Sequence, residues 1–332
     1  VEVKIDKDRY ISYEDNIKFP LLLLAYPTVP TRHADEAPLD ILAEVFGQSK
    51  TSLIYQNLVK NQKTLESTAE HGCRELSGSF EISAVASPGN SLADIEKIIR
   101  NSMEEFEKNG ITDEDLKRFK ASFESSTING LNSVRGKGAQ LAYYQTFTGN
   151  PNYIKNDLLR YQKVTKEDVM RVYKQYIKGK AAVILSAYPK GKPEMKAHED
   201  NFTPPVINPN DADHAEYKGL VYKKAVDNFD RSKKPNAGEN PVVKVPELWK
   251  ETFANGLKII GNQNDEIPSV TIQLTIEAGH RLEEKSKSGI AQVLGEIMQE
   301  STINYTAEQM ADQLAKLGSS INISSGANEI SV

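Results

Sequence analysis

The succession Phe19-Pro20, apolar strand, charged turn and amphipathic helix returns about 250 residues later as Ile267-Pro268, strand, charged turn and amphipathic helix. A chain that writes the same order of elements twice is expected to hold two similar domains, and 332 residues are enough for both. Around each copy, strands are joined to strands by short turns and helices follow helices. That grouping predicts an α+β fold, with two-layer sandwich domains of mainly antiparallel sheet packed with helices, rather than a doubly wound parallel sheet.

The first copy can be followed residue by residue. Pro20 to Tyr26 reads as a strand, and Leu39, Leu42, Ala43 and Phe46 recur at helical spacing behind Pro38, a residue suited to a first helical turn. A short helix carrying Leu53, Ile54 and Leu58 precedes two strands, Thr64 to Cys73 and Ser79 to Ala86, with Gly78 as the break between them. Pro88-Gly89-Asn90 turns the chain into a helix whose stripe is Leu92, Ile95, Ile98, Ile99, Met103 and Phe106 and whose stop is Asn109-Gly110. Thr112 and Thr165 each precede acidic residues and predict helix N-caps. Ala181 to Ala187 closes the domain as an apolar strand.

These readings place one domain at 1–195. Residues 196–245 change character, with Pro204, Pro205, Pro209, Pro235 and Pro241 among Asn, Asp and Lys, and predict a connector. Phe202, Tyr217, Leu220, Val221, Tyr222 and Phe229 are expected to anchor it to the surface. Residues 246–332 begin a second domain. Asn255-Gly256 predicts a hairpin with a two-residue loop, Val270, Ile272, Leu274 and Ile276 alternate as a strand, and helices carry Ile290 to Met298 and Met310 to Leu317. Thr306 and Gln309 have capping-box spacing, and Ile321 and Ile323 alternate as a further strand.

Several functions are disfavoured. A net charge of −5 gives no electrostatic reason to bind nucleic acid or an anionic membrane. No run approaches the ~18 apolar residues of a membrane span. The single cysteine, Cys73, excludes an internal disulfide and a thiolate zinc cluster, and reads as a buried thiol. The five histidines are His33, His71, His198, His214 and His280, and none lies within one helical turn of another. A zinc site on one helix needs two imidazoles three or four residues apart. His33 and His198, each beside acidic residues, read as solvated side chains. No nucleophile elbow, Walker loop or dinucleotide fingerprint occurs. Arg135-Gly136-Lys137-Gly138 reads as a loop between helices, and Tyr143, Tyr144, Phe147, Tyr153 and Tyr161 as packing between helices.

Gly279-His280-Arg281, Lys287-Ser288-Gly289-Ile290-Ala291, Gln292 to Glu296 and Ser301-Thr302 resemble the zinc-helix region of the insulinase/pitrilysin zinc metallopeptidases, the inverzincins with a processing-peptidase-like fold. Active members continue from this point into His-x-x-Glu-His, two His holding zinc and the Glu activating water. Here Gln292 and Glu296 stand at the histidine positions and Gly295 at the glutamate position. Phe19-Pro20, Asp35 to Phe46, Ser52 to Tyr55, Pro88-Gly89 and Gly110-Ile111-Thr112 resemble the domain that follows the zinc domain in the same family.

The resemblance implies that 1–195 is the second domain of the first half of such a peptidase. Residues 246–332 would then be the truncated start of the degenerate, inactive repeat that opens the second half. It further implies an internal segment, consistent with a start at Val1 without Met, that lines a closed chamber and hinges its halves. Zinc and catalysis would belong to the full-length protein, so no catalytic, cofactor-binding or metal-binding residue is assigned in this chain. The implied partner is a peptide or unfolded polypeptide, with no nucleic acid and no membrane span; a homodimer or a paired family subunit stays open, and the bacterial periplasm or cell envelope is the family's habit. The alternatives are a non-catalytic scaffold subunit of the same family and an unrelated α+β binding module.

Overall fold

In a computed structural model, the described residues are 4–204, 219, 221, 223, 230, 232–234, 236–240, 242 and 245–332. The chain divides into two compact units, Val1–Thr203 with Ser269–Val332, and Pro204–Pro268.

The first unit is built on a five-stranded sheet of β1 (Arg9–Asp15), β2 (Leu21–Thr28), β3 (Thr64–Cys73), β4 (Gly78–Ala86) and β5 (Val183–Pro189) in the order β1-β5-β2-β4-β3. Every neighbouring pair is antiparallel except β1 with β5. Alternation places Leu22, Leu24, Tyr26, Phe80, Ile82, Ala84 and Ile184 on one buried face. Against it lie α1 (Glu36–Ala43) and α2 (Leu92–Asn109), which bury Leu39, Ile41, Leu42, Ile95 and Ile99. The α+β expectation holds. β1 is an edge strand without marked alternation, so the sequence pattern does not announce it.

α2 starts where Ser91 accepts the Asp94 N–H and stops at Gly110, whose φ of 70° is left-handed. α3 (Asp113–Asn129) opens with a complete capping box between Thr112 and Asp115. Then come α4 (Val134–Thr148), α5 (Ile154–Gln162) and α6 (Lys166–Val172), the last with the Thr165–Asp168 capping box. The expected loop at Arg135 to Gly138 is instead the first turns of α4, begun by Ser133, which accepts the Gly136 N–H. Helices near Phe46, Leu58 and Ile177 finish in π-helical turns. Phe46 packs there with Phe80, Phe106 and Tyr173, ring centroids 5.0–6.3 Å from it. Gly78 is not a break between strands, as expected, but the first residue of β4, paired with Cys73. A Cβ there would meet the Val29 carbonyl oxygen at 2.4 Å.

Residues 269–332 form a smaller sheet of β8 (Thr275–Glu277), β9 (Ser324–Ser325) and β10 (Glu329–Ser331), ordered β8-β10-β9, with α7 (Ile290–Met298) and α8 (Ala307–Lys316). The strand expected over Val270–Ile276 is shorter, because pairing with the neighbouring strand ends at the Leu274–Val332 hydrogen bonds. Val270 and Ile272 are exposed. Ile290, Val293, Leu294 and Ile297, the apolar residues of the helix expected here, are also largely exposed. The capping box of α8, Thr306 with Gln309, is present.

The second unit contains the hairpin of β6 (Trp249–Thr252) and β7 (Lys258–Gly261). Its loop differs from the two-residue form expected. Phe253 and Leu257 remain hydrogen-bonded, and only Gly256, with φ 87°, is left-handed, so Ala254-Asn255-Gly256 makes a three-residue loop. Of the expected connector anchors, Phe202 stacks under Arg9, Val221 is exposed, and Tyr217, Leu220, Tyr222 and Phe229 lie outside the described residues.

Candidate functional site

The helix that bears Gln292 and Glu296 is started by a carboxylate. Glu283 Oε2 accepts the Gly289 N–H and its Oε1 the Ala291 N–H, both at 2.8 Å, while His280 Nδ1 lies 3.2 Å from Oε1. Those helix N–H groups hold the Glu283 carboxyl below its usual range. Gly289 at φ 94° and Gly279 at φ 108° let the chain turn between β8 and α7. Gln292 and Glu296, one turn apart, share a cleft of about 830 Å³ with His280, Lys50 and Glu300. Met310, Leu314, Ile321 and Ile323 give the cleft its apolar part. Gly295 is turned away, so that a Cβ there would touch the Ser325 N at 3.6 Å.

This donor set does not fit a hydrolytic zinc. Gln292 offers a neutral amide oxygen, Glu296 one carboxylate, and Gly295 has no side chain with which to activate water. Among the described residues no three His, Cys, Asp or Glu side chains gather to hold a metal ion.

Three of the other histidines are placed by specific neighbours. His33 Nδ1 accepts the Asp35 N–H at 3.1 Å. His198 is exposed, yet it tilts onto the Tyr10 ring with centroids 4.6 Å apart, and its Nε2 lies 3.3 Å from the buried Glu96. His71 is fully buried between Asp40, 2.6 Å from its Nδ1, and Thr28 Oγ1, 3.1 Å from its Nε2. His214 lies outside the described residues.

Cys73 Sγ stands 3.6 Å from His71 Nε2, which completes the outline of a Cys-His-Asp triad that sequence spacing hides, because Asp40 comes from α1 and the other two from β3. Its chemistry is not that of a nucleophile. The thiol donates to the Val29 carbonyl at 3.1 Å, and burial, joined by the charges of Glu36 and Asp40, pushes it up to about 12. A thiolate is therefore scarce at neutral pH. In the native protein Cys73 is expected to react with a thiol reagent such as 5,5′-dithiobis(2-nitrobenzoate) at pH 7.5 at least ~10-fold more slowly than in denaturant. Equal rates would refute the assignment.

Beside this triad runs a charge network. Asp157 Oδ1 receives Arg32 at 2.5 Å and Arg160 at 2.8 Å, and its Oδ2 accepts the Tyr144 hydroxyl at 3.0 Å. Arg160 also pairs with Glu36. Arg32 is held with φ 70° among the rings of Tyr143, Tyr144 and Tyr153, 5.1–5.7 Å from their centroids. The aromatic residues of α4 thus serve a buried cation as much as helix packing, with Tyr143 and Phe147 left exposed. Arg171 and Tyr176 bond Asp35; burial would raise its carboxyl, but these bonds hold it below its usual range. Every charged member already has an ion-pair partner within the fold, so the network reads as a structural one.

Two stretches of the chain, one holding Arg32, Asp35 and Glu36 of the charge network and the other the α7 helix, match two models of one peptidase family. Residues 1–123 match the model described as the peptidase M16 inactive domain, and residues 258–331 the model described as insulinase, peptidase family M16. The chain belongs to the M16 peptidases. A protease from Helicobacter pylori is 20% identical with a TM-score of 0.52, over 56% of this chain and 45% of that one. The peptidase M16 inactive domain from Pseudomonas fluorescens is 18% identical, with a TM-score of 0.47, over 55% and 44%. The periplasmic protease PqqL from Escherichia coli is 12% identical, with a TM-score of 0.47, over 56% and 21%. The chain therefore spans less than half of each of these relatives. No curated protein sequence matches it.

As an M16 chain it carries a non-catalytic part of the family's fold. The Helicobacter pylori protein supports the α+β fold itself. No helix among the described residues is long and apolar enough to cross a membrane.

Proposed function

We propose that this chain is the internal, non-catalytic portion of an M16 zinc metallopeptidase that hydrolyses peptides or unfolded polypeptides in a closed chamber. Residues 1–195 form the second domain of its first half, 196–245 the connector, and 246–332 the start of the degenerate zinc-domain repeat. The portion contributes chamber wall and hinge, while zinc and catalysis reside elsewhere in the full-length protein. The bacterial periplasm or cell envelope is the proposed compartment, from the family resemblance alone, and pairing with a second copy or a family subunit belongs to the same proposal.

One observation carries the reading: the inactive-domain match precedes the insulinase match in one chain, and the helix of the latter has Gln292, Gly295 and Glu296 where a zinc helix needs two imidazoles and a carboxylate. Metal analysis and a quenched fluorescent peptide test it. After dialysis against zinc and then buffer, the chain is expected to retain well under one zinc and to cleave nothing. The full-length protein is expected to hold zinc and cleave. Stoichiometric zinc on the chain, lost in Glu296→Gln, would overturn the reading of α7. Absence of both zinc and hydrolysis in the folded full-length protein would favour the scaffold subunit.

A further inference from the structure

The hydrophobic core of the first unit is drawn, among the described residues, from positions up to Ala197, and none of 269–332 joins it. Ion pairs tie 269–332 to the rest of the unit instead. Arg118 on α3, 4% exposed, pairs with Asp115 at 2.5 Å on its own helix and with Asp312 on α8 at 3.0 Å. Lys316 on α8 bridges Asp312 and Glu114, and Lys60 meets Glu308 at 2.6 Å. Next to these pairs the backbone comes close: Ser125 donates to the Gly318 carbonyl, and a Cβ on Gly318, at φ 61°, would stand 2.9 Å from Ser125 Cβ.

From this composition we infer that the α3–α8 seam is a releasable ionic clasp, a contact that opens and recloses while both sides stay folded. The physical reason lies in what opening exposes. An apolar interface loses burial when it parts, whereas the more exposed pairs of this seam, Lys60–Glu308 and Lys316–Glu114, exchange each other for water at a cost of about 1 kcal/mol or less each. Arg118 adds to this balance, because its Nε is buried with no partner and regains hydration when the seam opens. Asp115 remains beside it on α3, so opening does not strand the cation. Hydrogen bonds from Lys60, its own helix N–H and Thr306 hold the Glu308 carboxyl down to about 2, so this member of the clasp stays charged under mild acid.

Hydrogen exchange of the intact chain is the test, read at the α8 amides with the β2 and β4 amides as internal standard. Lys60→Glu sets two acidic groups against each other at the surface, away from the core, and is expected to speed α8 exchange about threefold to tenfold without changing β2 or β4. The swapped pair Lys60→Glu with Glu308→Lys is expected to return α8 to the wild-type rate. Raising salt from about 50 mM to about 1 M should speed α8 exchange in the wild type by a similar factor, through the more exposed pairs. Unchanged α8 exchange in Lys60→Glu and in high salt would overturn the clasp. Acceleration that the charge swap fails to reverse, or that spreads to β2 and β4, would overturn it as well, by showing general destabilisation.

Discussion

Phe46→Ala is expected to lower the unfolding free energy of the first unit by about 3–5 kcal/mol. Phe46 is fully buried at the end of the helix that starts at Glu36, where the π-helical turn aims its ring between Phe80 of β4, Phe106 of α2 and Tyr173 beyond α6. Removing the ring leaves a cavity walled by three elements that are each fixed by something else. Phe80 is held in the sheet register opposite Tyr26, and the Tyr173 hydroxyl donates to the Met103 carbonyl at 2.8 Å. With so little freedom to collapse, the cost should lie at the upper end of the range for aromatic truncation. Urea unfolding followed by far-ultraviolet circular dichroism measures it, and Phe46→Leu serves as the milder control. A loss below about 1 kcal/mol would show that the three rings repack and that the cluster is not a rigid core.

Asp157→Ala should cost about 3–5 kcal/mol as well, for an electrostatic reason. Asp157 is buried at the meeting point of two guanidinium groups and a tyrosine hydroxyl, and its loss leaves Arg32 with aromatic faces but no carboxylate. Arg160 keeps Glu36 and should relax; Arg32, whose Nε already lacks a partner, cannot. The double variant Asp157→Ala with Arg32→Met is therefore expected to recover much of the loss, because it removes the stranded cation together with its partner. The same unfolding measurement decides it. If the double variant is no more stable than Asp157→Ala, Arg32 is not the group that suffers.

These two sites differ in how far they could be read beforehand. Phe46 falls at helical spacing with Leu39, Leu42 and Ala43, so its burial was legible, although the π-helical turn that orients it was not. The Asp157 network was not legible at all. Arg32 and Glu36 lie more than a hundred residues from Asp157 and Arg160, and a sequence pattern reports periodicity along one element, not the meeting of charges from several. The same limit hid the Cys73–His71–Asp40 outline, and the burial of the thiol beside Glu36 and Asp40, which argues against a nucleophile, is likewise visible only in the fold.

Local chemistry determined by itself the caps at Thr112, Thr165 and Thr306, the stop at Gly110, the strands over Thr64 to Cys73 and Ser79 to Ala86, and the departure of Gln292, Gly295 and Glu296 from a zinc-binding helix. Each depends on side chains within a few residues of one another, acting through a capping hydrogen bond, a left-handed glycine or a repeat of two. Tertiary structure alone decided the rest. It made β1 a parallel edge strand beside β5, turned Arg135 to Gly138 into a helix, and left the apolar stripe of α7 exposed while tying α8 down by charge. In each case the outcome depends on what lies opposite in space: a strand forms where a free edge accepts it, and an amphipathic helix buries its stripe only where an apolar surface meets it.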